Sequence, residues 1–226
     1  LEYGPVKIWL GDSWSSVSPD AMKHVVWRVW KAMSKKVPIG VHCHDVFGMA
    51  SANAVAAVTA GASHVDAVMT GLADHCGLAR LEVVALALEA LCGISTGLKL
   101  DKLYDYAELV ARKVGVRQPP YQAVIGENAF SYELPTFLAA LLRGEKEMPL
   151  NAEVVGRKPG LFWGITAMSD PDLSIKAKLE QMGLKYTDDD VQKIVDILWD
   201  RIEKISKYPF WLPECEVEEV CRKVVC

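Results

Sequence analysis

Three apolar, β-prone runs set the limits on what this chain can fold into. Each ends in polar residues, and each is followed by a helical pattern. The runs are VKIWLGD (6–12), VPIGVHCH (37–44) and HVDAVMTG (64–71). SPDAMKHVVWRVWKAMSKK follows the first, GMASANAVAAVTAGA (48–62) the second and LARLEVVALALEALCG (78–93) the third. In the first helical stretch Ser18 suits the N-cap and Pro19 the first turn, and Val25, Val26, Val29, Trp30 and Met33 recur on one face. Gly61 and Gly93 close the next two. Such alternation requires parallel strands joined by crossover helices, in either a doubly wound sheet or a (β/α) barrel. The units recur about every 30 residues, the usual size of a βαβ repeat. No Gly-x-Gly-x-x-Gly follows a strand and no Walker lysine occurs, so dinucleotide and P-loop chemistry are not expected.

The second half reads differently. DKLYDYAELVARKVG (101–115) is a helix, and VRQPPYQ breaks the chain after it. Residues 126–146 mix a loop with a short helix, and 151–171 are irregular and rich in Gly and Pro. SIKAKLEQMGL (174–184) is amphipathic. Thr187 and Asp190 form a capping box ahead of a long buried face, Val191, Ile194, Val195, Leu198, Ile202 and Ile205. EVEEVCRKVV closes as a short helix. Three segments are therefore expected: an α/β portion over 1–116, a linker or subdomain over 117–170 and a helical subdomain over 171–226.

Composition narrows the function. Net charge is −4, from 25 basic and 29 acidic residues, and no basic stripe carries interleaved aromatics, so no nucleic-acid partner is expected. Charges interrupt every apolar run well before the roughly 18 residues of a membrane span. None of the six cysteines forms a Cys-x-x-Cys pair, which points to reduced, mostly buried thiols in a cytoplasmic protein, with Cys221 and Cys226 as candidates for exposure. No signal peptide is visible. The first residue, Leu1, is not methionine, and a processed or partial chain is the expectation.

Chemistry concentrates at the ends of the three strands. In a strand, residues i and i+2 share a face, so His42 and His44 point together and Cys43 points away. Imidazoles whose Cβ atoms stand about 6–7 Å apart can grip one divalent cation, given further ligands, or can simply hydrogen-bond nearby loops. Asp12 and Ser13 end the first run, Asp45 follows His44, and Asp74, His75 and Cys76 follow the third run. An aspartate after a strand is, taken alone, more often a cap or turn residue. The convergence of several such groups at strand C-termini is what points to a site.

The segments GDSWSSVSP, VHCHDVFGMASANAVAAVTAGASHVDAVMTGLADHCGLARLEVVALALEAL and GENAF resemble the carboxy-terminal part of the DRE-TIM metallolyase group. That group includes 2-isopropylmalate, homocitrate and Re-type citrate synthases and 3-hydroxy-3-methylglutaryl-CoA lyase. Its pattern is Asp-Thr-x-Gly, then His-x-His-Asn/Asp-x-x-Gly-x-Ala-x-Ala-Asn, then Val-Asp-x-x-x-x-Gly. The resemblance runs from about Val6 to Phe130, and more loosely through GRKPGLFWG and SIKAKLEQMGL. It implies the last three βα units of a (β/α)8 barrel, a linker and a small helical subdomain. It implies a divalent metal (Mn, Mg or Zn) on His42 and His44, with Asp45 and Asn53 in support, Asp45 by orienting a ligand histidine. Asp12, Ser13 and His75 are the candidate catalytic residues, Ser13 standing where the family has threonine. The implied reaction is a Claisen-type condensation of acetyl-CoA with a 2-oxo acid. The alternatives are a carbon–carbon lyase or aldolase, to which Cys76 lends weight, and a non-catalytic diverged subunit. The implied partners are a second copy, or a chain supplying the missing barrel strands. The sequence departs from the family at Leu78, where a metal-binding asparagine is usual, at Phe137, where a catalytic histidine is usual, and at GITAM (164–168).

Overall fold

The computed structural model describes residues 4–33, 36–145, 151–205 and 211–225. They form two compact units, Leu1–Ala129 with Val154–Gly156, and Phe130–Glu153 with Arg157–Cys226.

The first unit is α/β. Strands β1 (Ile8–Asp12), β2 (Ile39–Cys43) and β3 (His64–Asp66) pair in parallel in the order β1-β2-β3. Helices α1 (Pro19–Ala32) and α2 (Ala50–Thr59) make the two crossovers, and α3 (Leu81–Cys92) follows β3. Ser18 caps α1 as expected, its hydroxyl accepting the Ala21 N–H, and Gly93 ends α3 in the left-handed region at φ 65°. α4 (Leu103–Val114) completes the unit's helices. One face of the sheet carries Ile39, Val41 and Cys43, which are buried with Met22 and Val26 of α1, Ala50, Ala54 and Ala57 of α2, and Val84 and Leu88 of α3. The alanines of α2 leave room for this packing. The core position of Cys43 explains its chemistry, since burial, with Asp12 adding to it, pushes the thiol up to about 12.

The opposite face is open and its rows alternate in size. Trp9, Gly40 and His64 stand in one row, and Gly11, His42 and Asp66 in the next. The Trp9 ring lies over Gly40, where an added Cβ would come within 2.6 Å of it, and reaches the His64 ring edge-on at 6.4 Å. Gly11, in turn, leaves one flank of His42 without a side chain.

β3 is shorter than the sequence pattern suggests. It ends at Asp66, and Met69–Gly71 form a 3-10 turn with Thr70 at φ 70°. A tertiary contact holds that turn: the buried Glu82 of α3 accepts the Thr70 N–H through Oε2 at 2.9 Å.

The second unit is mainly helical. β4 (Ser131–Tyr132) pairs in parallel with β5 (Gly160–Leu161), and α5 (Pro135–Leu142), α6 (Pro171–Gln181), α7 (Asp188–Glu203) and α8 (Glu214–Val225) surround one core. The Thr187–Asp190 capping box forms at α7, and Val191, Ile194, Val195, Leu198 and Ile202 are buried along it. Leu138, Leu142, Trp163, Ala167 and Met168, from the stretch expected as a linker or subdomain, belong to the same core. Cys221, a candidate for exposure near the chain end, is instead fully buried and its thiol pushed up to about 11 by that burial. Cys226 lies outside the described residues. The cysteines among the described residues are all free, and no described helix is long and apolar enough to cross a membrane.

Candidate functional site

The site lies at the carboxyl ends of β1, β2 and β3. β2 carries His42 on the open face, and His44 follows one step beyond the strand, held by N–H donation to the Asp12 carbonyl at 3.2 Å and by an antiparallel bridge to Leu78. The two imidazoles converge, with Nε2 of His42 3.1 Å from Nε2 of His44. On its other side His42 Nδ1 meets Asp66 Oδ2 at 2.7 Å. His44 is buried, and its Nδ1 has no partner among the described residues. His75 stands edge-on to His44 at 5.5 Å between ring centroids, and Trp14 covers His75 at 5.9 Å. Trp14, His75, His44, His42 and Asp66 thus form a continuous row of side chains. His75 and Cys76 also line a cleft of about 310 Å³ with Thr70, Arg117 and Gln122.

The other expected site residues hold the loops. Asp12 is paired with Cys43 and stands on the helix side of the sheet, where its Oδ1 accepts the Ser16 N–H at 2.8 Å and the Ser16 hydroxyl at 3.3 Å. Its position is that of a turn residue, away from the imidazoles. Ser13 is exposed in the loop after β1. Asp45 accepts the Ala50 N–H through Oδ1 at 2.8 Å, capping α2, while Oδ2 lies 3.4 Å from Arg80 Nη2. Among the described residues, neither oxygen meets a histidine. Asn53 ties α2 to the first loop by donating to the Val17 carbonyl at 2.9 Å.

Two residues not singled out from sequence shape the site directly. Ser15 has φ 51°, and its hydroxyl donates to the His44 carbonyl at 2.6 Å and accepts from the Val46 N–H at 3.0 Å. It occupies the glycine position of Asp-Thr-x-Gly, a pattern that was itself the available signal, since left-handed backbone favours glycine. Asp66 is the other, and its signal was the aspartate of Val-Asp-x-x-x-x-Gly.

The donor chemistry fits a cation in part. Two bare imidazole nitrogens 3.1 Å apart repel unless a proton or cation joins them. Ligand nitrogens about 2.0–2.1 Å from one ion stand about 3 Å apart when the bonds are near a right angle. Among the described residues, however, no three His, Cys, Asp or Glu side chains are disposed to hold an ion together. Leu78, across from His44, contributes none.

Residues 1–110 match the HMGL-like family. Homocitrate synthase AksA of Methanopyrus kandleri is 32% identical over 225 residues, covering 99% of this chain and 54% of that protein. 2-Isopropylmalate synthase of Methanocaldococcus jannaschii is 33% identical over 208 residues, covering 92% and 39%. (R)-Citramalate synthase CimA of the same organism is 30% identical over 200 residues, covering 87% and 39%. The chain spans about half the length of these relatives, or less. Among solved structures, the HMG-CoA lyase of Bacillus subtilis matches with a TM-score of 0.46 and 29% identity, over 52% of this chain and 41% of that one. Through its first 110 residues, this chain belongs to the HMGL-like family.

Proposed function

We propose that this chain carries part of the active site of a metal-dependent acyltransferase that joins acetyl-CoA to a 2-oxo acid. In this reading its α/β unit is the last three βα units of a (β/α)8 barrel. The observation that carries it is the approach of His42 Nε2 and His44 Nε2 to 3.1 Å at the carboxyl end of a parallel strand. The synthase relatives support the same class.

His42 and His44 would hold a divalent ion, which when bound supplies a Lewis acid for the 2-oxo carbonyl. The chain's own residues do the rest of the local work. Ser15 fixes the His44 carbonyl, and so the direction of the His44 side chain. Trp14 and His75 wall the histidine pair on one side. A proton on His75 could pass to the developing alkoxide, the role that its place beside His44 permits. The remaining ligands and the acetyl-CoA site would come from barrel strands carried elsewhere, on the same polypeptide or a partner, and a homodimer fits the same scheme.

The second reading is a non-catalytic, diverged subunit, favoured by one observation: Leu78 sits directly opposite His44, where it can ligate nothing. Release of free thiol from acetyl-CoA, with Mn²⁺ or Mg²⁺ and a panel of 2-oxo acids, separates the two. The assay is run on the chain alone and mixed with a polypeptide bearing the amino-terminal barrel strands. Acceptor-dependent release supports the synthase. Silence with every acceptor in both settings leaves the diverged subunit.

A further inference from the structure

Asp45 follows His44 in sequence and is the carboxylate expected to orient a ligand histidine, but its oxygens are turned to α2 and Arg80. The carboxylate that does meet an imidazole of the pair comes from the next strand. β2 and β3 run in the register Gly40 with His64, Val41 with Val65 and His42 with Asp66, so the Asp66 and His42 side chains leave the same face at the same height. Asp66 Oδ2 and His42 Nδ1 are 2.7 Å apart, a charge-assisted length. A carboxylate only accepts, so Nδ1 carries a proton, and in the neutral ring Nε2 then keeps its lone pair. That lone pair is the one facing His44 Nε2.

A structural role accounts poorly for this aspartate. Asp is among the residues depleted in strands, and β3 has only three residues, all partly buried. The Asp66 side chain is 47% exposed, and a contact so open to solvent adds about 0–1 kcal/mol at most. Valine at this position would serve the sheet better. Gly11, on the far side of His42, gives the ring no support. Among the described residues, the hydrogen-bonding neighbours of the His42 ring are His44 and Asp66. The other carboxylate near a site histidine, Asp74, stands 3.6 Å from His75 Nε2 in an exposed loop, beyond a hydrogen bond.

We propose that Asp66 is the positioning residue of this site: it locks His42 in the Nδ1-protonated tautomer and turns Nε2 toward His44 as a donor for a divalent cation. The proposal rests on the reading of His42 and His44 as ion ligands. It follows the general pattern in which a carboxylate holds the distal N–H of a metal-bound histidine.

The test uses the 226-residue chain and two variants, Asp66→Val, which suits a strand and removes the acceptor, and Asp66→Asn, which keeps the shape without the charge. Long-range ¹H–¹⁵N spectra of the metal-free protein report which ring nitrogen of His42 is protonated. Calorimetric titration with Co²⁺ reports affinity, and a thermal melt reports folding. The expected result is Nδ1 protonation in the wild type, loss of that tautomer in Asp66→Val and an affinity lower by about 10–100-fold. The Val variant keeps or raises the melting temperature, and Asp66→Asn falls between. A purely structural aspartate would lower the melting temperature and leave the tautomer and affinity of the folded protein alone. That outcome, or His42 protonated on Nε2 in a wild type that binds Co²⁺, overturns the part assigned to Asp66. A wild type with Nδ1 protonated that takes up no cation overturns the ligand reading itself, and the donor role with it.

Discussion

Ser15 shows how one side chain can offset the backbone it sits on. At φ 51° it bears a strain that glycine avoids, and it also makes two hydrogen bonds that glycine cannot. Replacing it separates the two effects. Ser15→Ala keeps the strain and loses both bonds, whereas Ser15→Gly loses the bonds and relieves the strain. Chemical denaturation should find the Ala variant the less stable by about 1 kcal/mol. Glu82 makes a pH-dependent counterpart. Burial lifts its carboxyl above the usual range, against the N–H of Thr70, its own backbone N–H, Arg80 and Gln122, which pull the other way. Gln122 Nε2 is near enough to matter but makes no hydrogen bond of normal length. A carboxyl whose folded pKa lies above its unfolded value favours the protonated protein. Stability from this group therefore falls as pH rises from about 4.3, the unfolded glutamate value, through the raised folded one. Glu82→Gln should flatten that slope in urea titrations across this window, since its amide oxygen can still accept the Thr70 N–H. A slope unchanged from wild type would rule Glu82 out as its source.

At the level of elements, two contacts decide how neighbours fit. Gly40 lets the Trp9 ring cross β2 to reach His64. Gly40→Ala drives a methyl into that ring and should cost about 1–3 kcal/mol, unless Trp9 is shortened as well. The double variant Gly40→Ala with Trp9→Val should recover part of the loss in a thermal melt. In the second unit Lys178 of α6 is fully buried, and its ammonium donates to Gln181, Glu214 and Glu218 at 2.9, 2.6 and 2.8 Å, tying α6 to α8. Replacing both glutamates by glutamine leaves a buried ammonium without its counter-charges and should destabilise by about 3–5 kcal/mol, while adding Lys178→Met to that pair, which removes the whole ion cluster, should recover most of the loss in chemical denaturation. The same clasp holds the Glu218 carboxyl below its usual range, chiefly through the Lys178 hydrogen bond. Its contribution is present above the unfolded glutamate pKa and is lost as pH falls through the lowered folded value.

For the whole molecule, the open sheet face and the β1 edge dominate. β1 is one of the two outer strands of its sheet, and Trp9, Trp27 and Trp30 are each about half exposed. An uncovered edge invites strand pairing. If the barrel is completed by strands carried elsewhere, the outward amides of β1 should exchange with solvent quickly in this chain alone. They should gain protection when a polypeptide bearing those strands is added. Hydrogen exchange resolved by residue checks this, and protection unchanged on mixing would count against completion at this edge.

Much was legible from the chain itself, because it rests on near-neighbour chemistry. The period of the apolar runs places three parallel strands and their crossovers, Ser18 and Thr187 mark their helix starts, and the alternation of a strand puts His42 and His44 on one face with Cys43 behind them. The core places of Leu138 and Trp163 were not legible, because both sit in segments too short and irregular to show a period. The division of labour among the carboxylates was also hidden. Asp12 ends β1 and Asp45 follows His44, so both are read from sequence as site carboxylates, but the register of β1 turns one to the helix side and the start of α2 engages the other. Asp66 is 24 residues from His42 and touches it only because β3 pairs with β2 in one register. Local sequence dictates which way a side chain points from its own strand. Which side chain waits there to meet it is decided by pairing between strands, and that exists only once the sheet has formed.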